Sequence, residues 1–134
     1  MLTVVAAIIE SEGKLLVCQR RRGSNFELKW EFPGGKKKPT ETLIQALFRE
    51  LREELGVDAS IGAEIYRTRH QYAELSEPIE LIFFSATADP QRIENRVFEK
   101  MEWCEPERLT ELDFLPADRD LVQKLVAGEF RVAP

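Results

Sequence analysis

Hydrophobic positions along the chain alternate in some stretches and recur at helical spacing in others. Leu2–Ile9 is rich in β-branched residues and ends at Ser11-Glu12-Gly13, a turn signal, before an apolar run resumes at Lys14–Gln19. This predicts a hairpin. Pro33-Gly34-Gly35 punctuates the chain and predicts a turn in the 31–35 stretch. From Thr42 to Leu55 the apolar residues follow helical periodicity, with Thr42 and Gln45 spaced as a capping box and Gly56 placed for a left-handed cap. Val57–Ile61, Ala63–His70, Ile79–Thr87 and Lys100–Cys104 read as strands, with Ala73–Pro78 as a connecting loop. Asp118–Ala127 reads as a terminal helix stopped by Gly128. Strands before, between and after two helices predict an α/β fold, a mixed β-sheet sandwiched between helices.

Composition narrows the function classes. The 134 residues suit one domain over 1–134, and the apolar runs are too short for a membrane helix. The N-terminal apolar stretch lacks a basic head and a cleavage site, so a cytoplasmic protein without a membrane partner is expected. Nineteen basic against twenty-four acidic residues give a net charge of −5, which argues against a nucleic-acid polymer as partner. Two cysteines and one histidine predict neither a zinc site nor a disulfide framework. Nothing here fixes the oligomeric state.

The central helix carries the chemistry. With Glu50 at zero on a helical wheel, Glu53 falls near about 300° and Glu54 near about 40°, between Leu43 and Leu47 at the edge of the apolar face. Acids that merely solvate a helix belong opposite that face. Three of them near the negative helix end repel one another and oppose the macrodipole. A hard divalent cation is their natural partner. Arg49, four residues before Glu53, is spaced for an ion pair. Gly34 and Gly35 allow close backbone approach to a ligand. Arg20–Arg22 and Lys36–Lys38 flank that turn, either as a polyphosphate-attracting pair or as solvated surface.

Gly35, Glu41 and the run Arg49-Glu50-Leu51-Arg52-Glu53-Glu54-Leu55-Gly56-Val57 match the Nudix box throughout, and the chain resembles the MutT-like branch of the Nudix hydrolases. Glu31–Lys36 before the helix and Phe114–Asp118 near the end add to that resemblance. The resemblance implies the Nudix fold and metal-assisted hydrolysis of a nucleotide substrate, with Mg²⁺ or Mn²⁺ as cofactor. It implies Glu50, Glu53, Glu54 and the Gly34 carbonyl as metal ligands, and Glu50 or Glu53 as general base. Arg49 would orient the carboxylates, Glu41 would anchor the loop, and Gly35 and Gly56 would be structural.

Further assignments also follow from the resemblance. Relatives take another metal ligand from a glutamate before a late Trp-containing strand; Trp103 marks that strand, but Val97 stands at the matching position. Glu99 is the substitute, or else a surface acid. Arg20, Phe32 and Asp118 match nucleotide-pocket positions. Phe32 has the alternative of a core place and Asp118 that of a helix N-cap. An ionised Asp118 would favour bases presenting donors; a protonated one could also donate to a carbonyl. Tyr72 lies near where dinucleoside polyphosphate hydrolases place a tyrosine.

The expected reaction is cleavage of a normal or modified (deoxy)nucleoside triphosphate to nucleoside monophosphate and pyrophosphate. Alternatives are a non-catalytic nucleotide-binding module on the same scaffold, or hydrolysis of a dinucleoside polyphosphate or ADP-ribose. The intact box disfavours the non-catalytic module. It also speaks against isopentenyl diphosphate isomerase, which shares the fold but is longer and uses a catalytic cysteine.

Overall fold

A computed structural model describes residues 1–129. Strands β1 (Leu2–Ser11), β2 (Lys14–Gln19), β3 (Trp30–Glu31) and β4 (Gly34–Lys36) precede helix α1 (Leu43–Leu55). Strands β5 (Ser60–His70), β6 (Ile79–Thr87) and β7 (Lys100–Cys104) follow, then helix α2 (Arg119–Val126). The path β3-β2-β1-β6-β5 forms the sheet, with β4 also paired to β1 and β7 to β2. β1 and β6 run parallel and the other pairings are antiparallel, so the sheet is mixed, as expected.

Period-two alternation splits the core into two layers. Val5, Ala7 and Ile9 of β1 pack with Leu47, Leu51 and Leu55 of α1 on one face. Ala6 and Ile8 pack with Leu121, Val122 and Leu125 of α2 on the other. β6 repeats the division, sending Ile82, Phe84 and Ala86 toward α1 and Leu81 and Phe83 toward α2. Each large apolar side chain fully buried this way contributes about 1.5–3 kcal/mol.

Helix α1 is fixed at both ends. Thr42 Oγ1 accepts from the Gln45 N–H at 3.1 Å, and Gln45 Oε1 accepts from the Thr42 N–H at 2.9 Å. Gly56 closes the helix at φ 68°, donating its N–H to the Arg52 carbonyl. The predicted capping box and left-handed stop are both present.

Two local expectations are corrected. Gly34 and Gly35 lie in a strand rather than in a free turn: Gly34 pairs with Ala6 and Gly35 with Val5. A Cβ at Gly34 would overlap the Val5 carbonyl, so glycine serves here for close strand approach. The predicted pair of strands at Val57–Ile61 and Ala63–His70 is one strand starting at Ser60, with register shifts between Ile61 and Tyr66. Gly62 suggests a break but makes a bulge, since the Ser85 hydroxyl occupies the space its Cβ would need and accepts from the Ala63 N–H. Val57 and Ala59 are buried outside the strand, packed in the α1 layer.

Candidate active site

A cavity of about 410 Å³ opens over the sheet where β1, β3 and β4 meet the start of α2. Gly34, Gly35, Glu50 and Glu54 line one end; Phe26, Tyr72, Leu115 and Asp118 line the other, with Arg20 and Glu31 also on its wall. Local geometry explains the first end. Gly35 lies directly under α1, where a Cβ would collide with the Glu50 carboxylate. The Gly34 N–H donates to Glu54 Oε1 at 3.1 Å. β4 thus brings backbone against two acids one turn apart.

Arg49 organises the rest of the box. Its Nε and Nη2 donate to the Glu41 carboxylate at 2.5 and 2.9 Å, and Nη1 donates to Glu50 at 2.9 Å. Nη1 also reaches Glu53 at 3.3 Å, and Nη2 donates to the Lys36 carbonyl at 3.0 Å. Glu41 in turn accepts from the Lys38 N–H, pinning the loop to the helix. These hydrogen bonds, led by Arg49, hold Glu41 down at about 2.

The three box glutamates differ in environment. Glu53 is turned outward, its side chain 56% exposed, whereas Glu50 is 14% exposed. Burial pushes Glu50 up against the opposing pull of Arg49. Burial pushes Glu54 up to about 9, helped by the charges of Glu50 and Glu31. Among the described residues no three His, Cys, Asp or Glu side chains form a ready ligand set. Arg49 holds Glu50 and Glu53, and the Gly34 N–H holds Glu54. Glu50 and Glu54 nonetheless supply carboxyl oxygens beside a cavity, and burial together with mutual repulsion raises both in the absence of a cation. That donor chemistry fits a hard divalent cation.

Glu99 stands elsewhere. Its carboxylate accepts from the Arg22 N–H at 3.1 Å, and it is not among the cavity-lining residues. Phe32 takes the core place, buried against Phe83 and Phe114, and it also borders the cavity. Gly56 lies outside the cavity, and its position is structural.

Asp118 departs from the helix-cap expectation. It precedes α2 yet makes no side-chain cap hydrogen bond, because a short 3₁₀ turn, Pro116–Asp118, leads directly into the helix. The side chain turns inward, 3% exposed, where it accepts from the Phe32 N–H. Burial, reinforced by the Glu31 charge, pushes its carboxyl well above the ordinary aspartate range. Burial thus favours its protonated form, which can both donate and accept.

Glu31 was not singled out from the sequence. Its signal was present: an acid between Trp30 and Phe32 in a strand-forming stretch. Arg20 Nη1 donates to it at 3.3 Å, while Arg20 Nε donates to the Asn25 carbonyl at 2.7 Å. Burial raises Glu31 despite Arg20. Phe26 had no sequence signal, being a lone aromatic in a polar run. Tyr72 enters the cavity wall as an aromatic whose hydroxyl accepts from the Ala117 N–H at 3.0 Å.

A sheet between two helices, with an arginine-locked glutamate cluster beside a glycine strand, defines a Nudix-type hydrolase scaffold. The NUDIX domain model matches residues 1–125. The chain is 39% identical over 127 residues to a CTP pyrophosphohydrolase of Escherichia coli, covering 95% of this chain and 93% of the relative. It is 35% identical to an 8-oxo-dGTP diphosphatase of Haemophilus influenzae, covering 94% and 92%. The solution structure of the E. coli ORF135 protein matches with a TM-score of 0.81 at 35% identity, over 96% of this chain and 91% of that one. A MutT protein from Methanosarcina mazei matches at 0.84 over 97% and 96%, and its 22% identity speaks to the fold alone. This chain belongs to the Nudix hydrolase family.

Proposed function

We propose that the chain is a MutT-like nucleoside triphosphate pyrophosphohydrolase that releases nucleoside monophosphate and pyrophosphate, with cytosine the favoured base. The observation that carries this reading is one cavity lined both by the box acids with Gly34 and by a buried Asp118. Glu50, Glu53, Glu54 and the Gly34 carbonyl would hold Mg²⁺ or Mn²⁺. Bound there, the cation would neutralise phosphate oxygens and lower the pKa of a water. Arg49 keeps Glu50 and Glu53 in place, and Glu50 or Glu53 takes the proton of the attacking water.

At the other end a neutral carboxyl presents an O–H donor beside a carbonyl acceptor. Cytosine presents the complement, N3 as acceptor next to an amino donor. Other bases offer similar edges, and what favours cytosine is the likeness to the CTP pyrophosphohydrolase. A cytoplasmic location is part of the same proposal, and no described helix is long and apolar enough to cross a membrane. Incubating the protein with CTP, dCTP, GTP, UTP and 8-oxo-dGTP plus Mg²⁺ tests the reading. Pyrophosphate release, greatest with a cytosine nucleotide, is expected. Orthophosphate as the product, or no release from any triphosphate, would overturn it.

A further inference from the structure

The turn between β2 and β3 carries two non-glycine residues with left-handed backbone, Phe26 at φ 55° and Leu28 at φ 64°. Such a conformation is strained for bulky residues and persists only where the surroundings impose it. Phe26 is half-buried, so a place deep in the core does not account for it. Its ring rests on Tyr72 at 4.8 Å, and Tyr72 meets His70 at 4.4 Å. Arg20 binds the turn through the Asn25 carbonyl and anchors on Glu31 across the cavity wall. The ring is therefore placed by Tyr72, and the turn that carries it by Arg20.

What it separates is informative. Phe26, with Asn25 and Leu75, borders the 410 Å³ cavity and also a second hollow of about 270 Å³, whose other walls are Glu27, Lys29 and Glu74. Ligand pockets span about 300–1,000 Å³, so a 410 Å³ cavity with a phosphate end included lies toward the small end of that range. We infer that Phe26 is the partition that sets the size of base admitted, accepting a pyrimidine and excluding a purine, whose second ring needs the space behind the Phe26 side chain. This deepens the nucleoside triphosphate reading and rests on it.

Phe26→Gly removes the ring and the backbone strain together, so the variant is expected to fold. Phe26→Trp thickens the partition. Leu28→Gly relieves neighbouring strain away from the cavity wall and serves as control. Two readouts are taken: kcat/KM for CTP, UTP, GTP and ATP with Mg²⁺, and binding of CMP and GMP to metal-free protein. Phe26→Gly should raise the purine-to-pyrimidine ratio about tenfold or more in both. Phe26→Trp should lower it and Leu28→Gly should leave it unchanged. An unchanged ratio in a folded Phe26→Gly protein, or an equal rise in Leu28→Gly, overturns the inference. If the wild type cleaves no triphosphate, the nucleotide reading fails, and the monophosphate binding ratio still decides for or against the partition.

Discussion

The two ends of the cavity are built in different ways. The acid end comes from one helix and the strand just before it: Gly34, Gly35, Glu50 and Glu54 lie within 21 positions, with Arg49 and Glu41 locking them. The rest of the wall gathers Arg20, Phe26, Glu31, Tyr72 and Asp118 from nearly the whole chain. The electrostatics differ too. The box acids face one another and one arginine, a cluster of carboxyl oxygens suited to a cation that displaces their protons. Asp118 is withdrawn from water, its carboxyl pushed up by burial, and is suited to hydrogen bonding. On the proposed function, local spacing encodes the reaction and tertiary packing the selectivity.

The largest effect should come from the acid end and fall on every substrate alike. Chelation with EDTA is expected to reduce pyrophosphate release to background, and Glu53→Gln or Glu54→Gln to lower kcat on the order of 100-fold. Full turnover after exhaustive chelation would break the metal assignment. Glu54→Gln also carries a pH signature. Wild-type Glu54 is raised from 4.5 to about 9 in the fold, so between those values the unfolded chain loses the proton that the fold retains. Stability from this group is lost as pH rises. Without divalent ions, the advantage of Glu54→Gln in urea unfolding should grow from about pH 5 to about pH 8, by on the order of 4 kcal/mol. A pH-independent difference would mean that Glu54 is ionised in the fold.

At the selective end the effect should depend on the base. Asp118→Asn keeps one donor and one acceptor, so it mimics a neutral acid and should preserve the ranking of CTP against GTP and UTP within a few-fold. Asp118→Leu removes both and should lower kcat/KM for CTP on the order of 100-fold, with metal dependence intact. A collapse in Asp118→Asn comparable to that in Asp118→Leu would show that the working form is the carboxylate.

The same division decides what could be read from residues alone. Helix α1, its caps and the placing of Glu54 at the buried edge follow from helical periodicity, and the structure has all three. Strand β4 was missed because its partners on β1 lie some thirty residues away, and Pro33-Gly34-Gly35 has the same local chemistry as a free turn. The two predicted strands on either side of Gly62 are one, because a bulge is defined by the strand opposite it. Asp118 was legible as a cap candidate, but its inward rotation depends on the 3₁₀ turn before it and on the Phe32 N–H that meets it. Phe26 is legible only once Leu75 and Tyr72 lie across from it.

Between the two ends sits the arginine lock, where an intermediate effect is expected. Arg49→Lys keeps the charge but cannot reach Glu41, Glu50, Glu53 and the Lys36 carbonyl together. Activity should fall about tenfold on all triphosphates. If instead the loss were confined to one base, Arg49 would belong to selectivity and the division would be wrong.

The smallest effect concerns the frame that carries the acid end. Thr42 caps α1 through the Gln45 N–H, and the Gln45 side chain returns the bond to the Thr42 N–H. Thr42→Ala leaves that first-turn donor to water and should cost about 1 kcal/mol in urea unfolding. Helix stability and site geometry are separable here. The glutamates lie two to three turns from the cap, and the Leu47, Leu51 and Leu55 face holds their half of the helix against the sheet. The variant should therefore keep wild-type kcat and the wild-type ranking of bases at 25 °C while melting earlier. A fall in kcat at temperatures where the fold is intact would show that the first turn, through Glu41 and Arg49, reaches the acids after all.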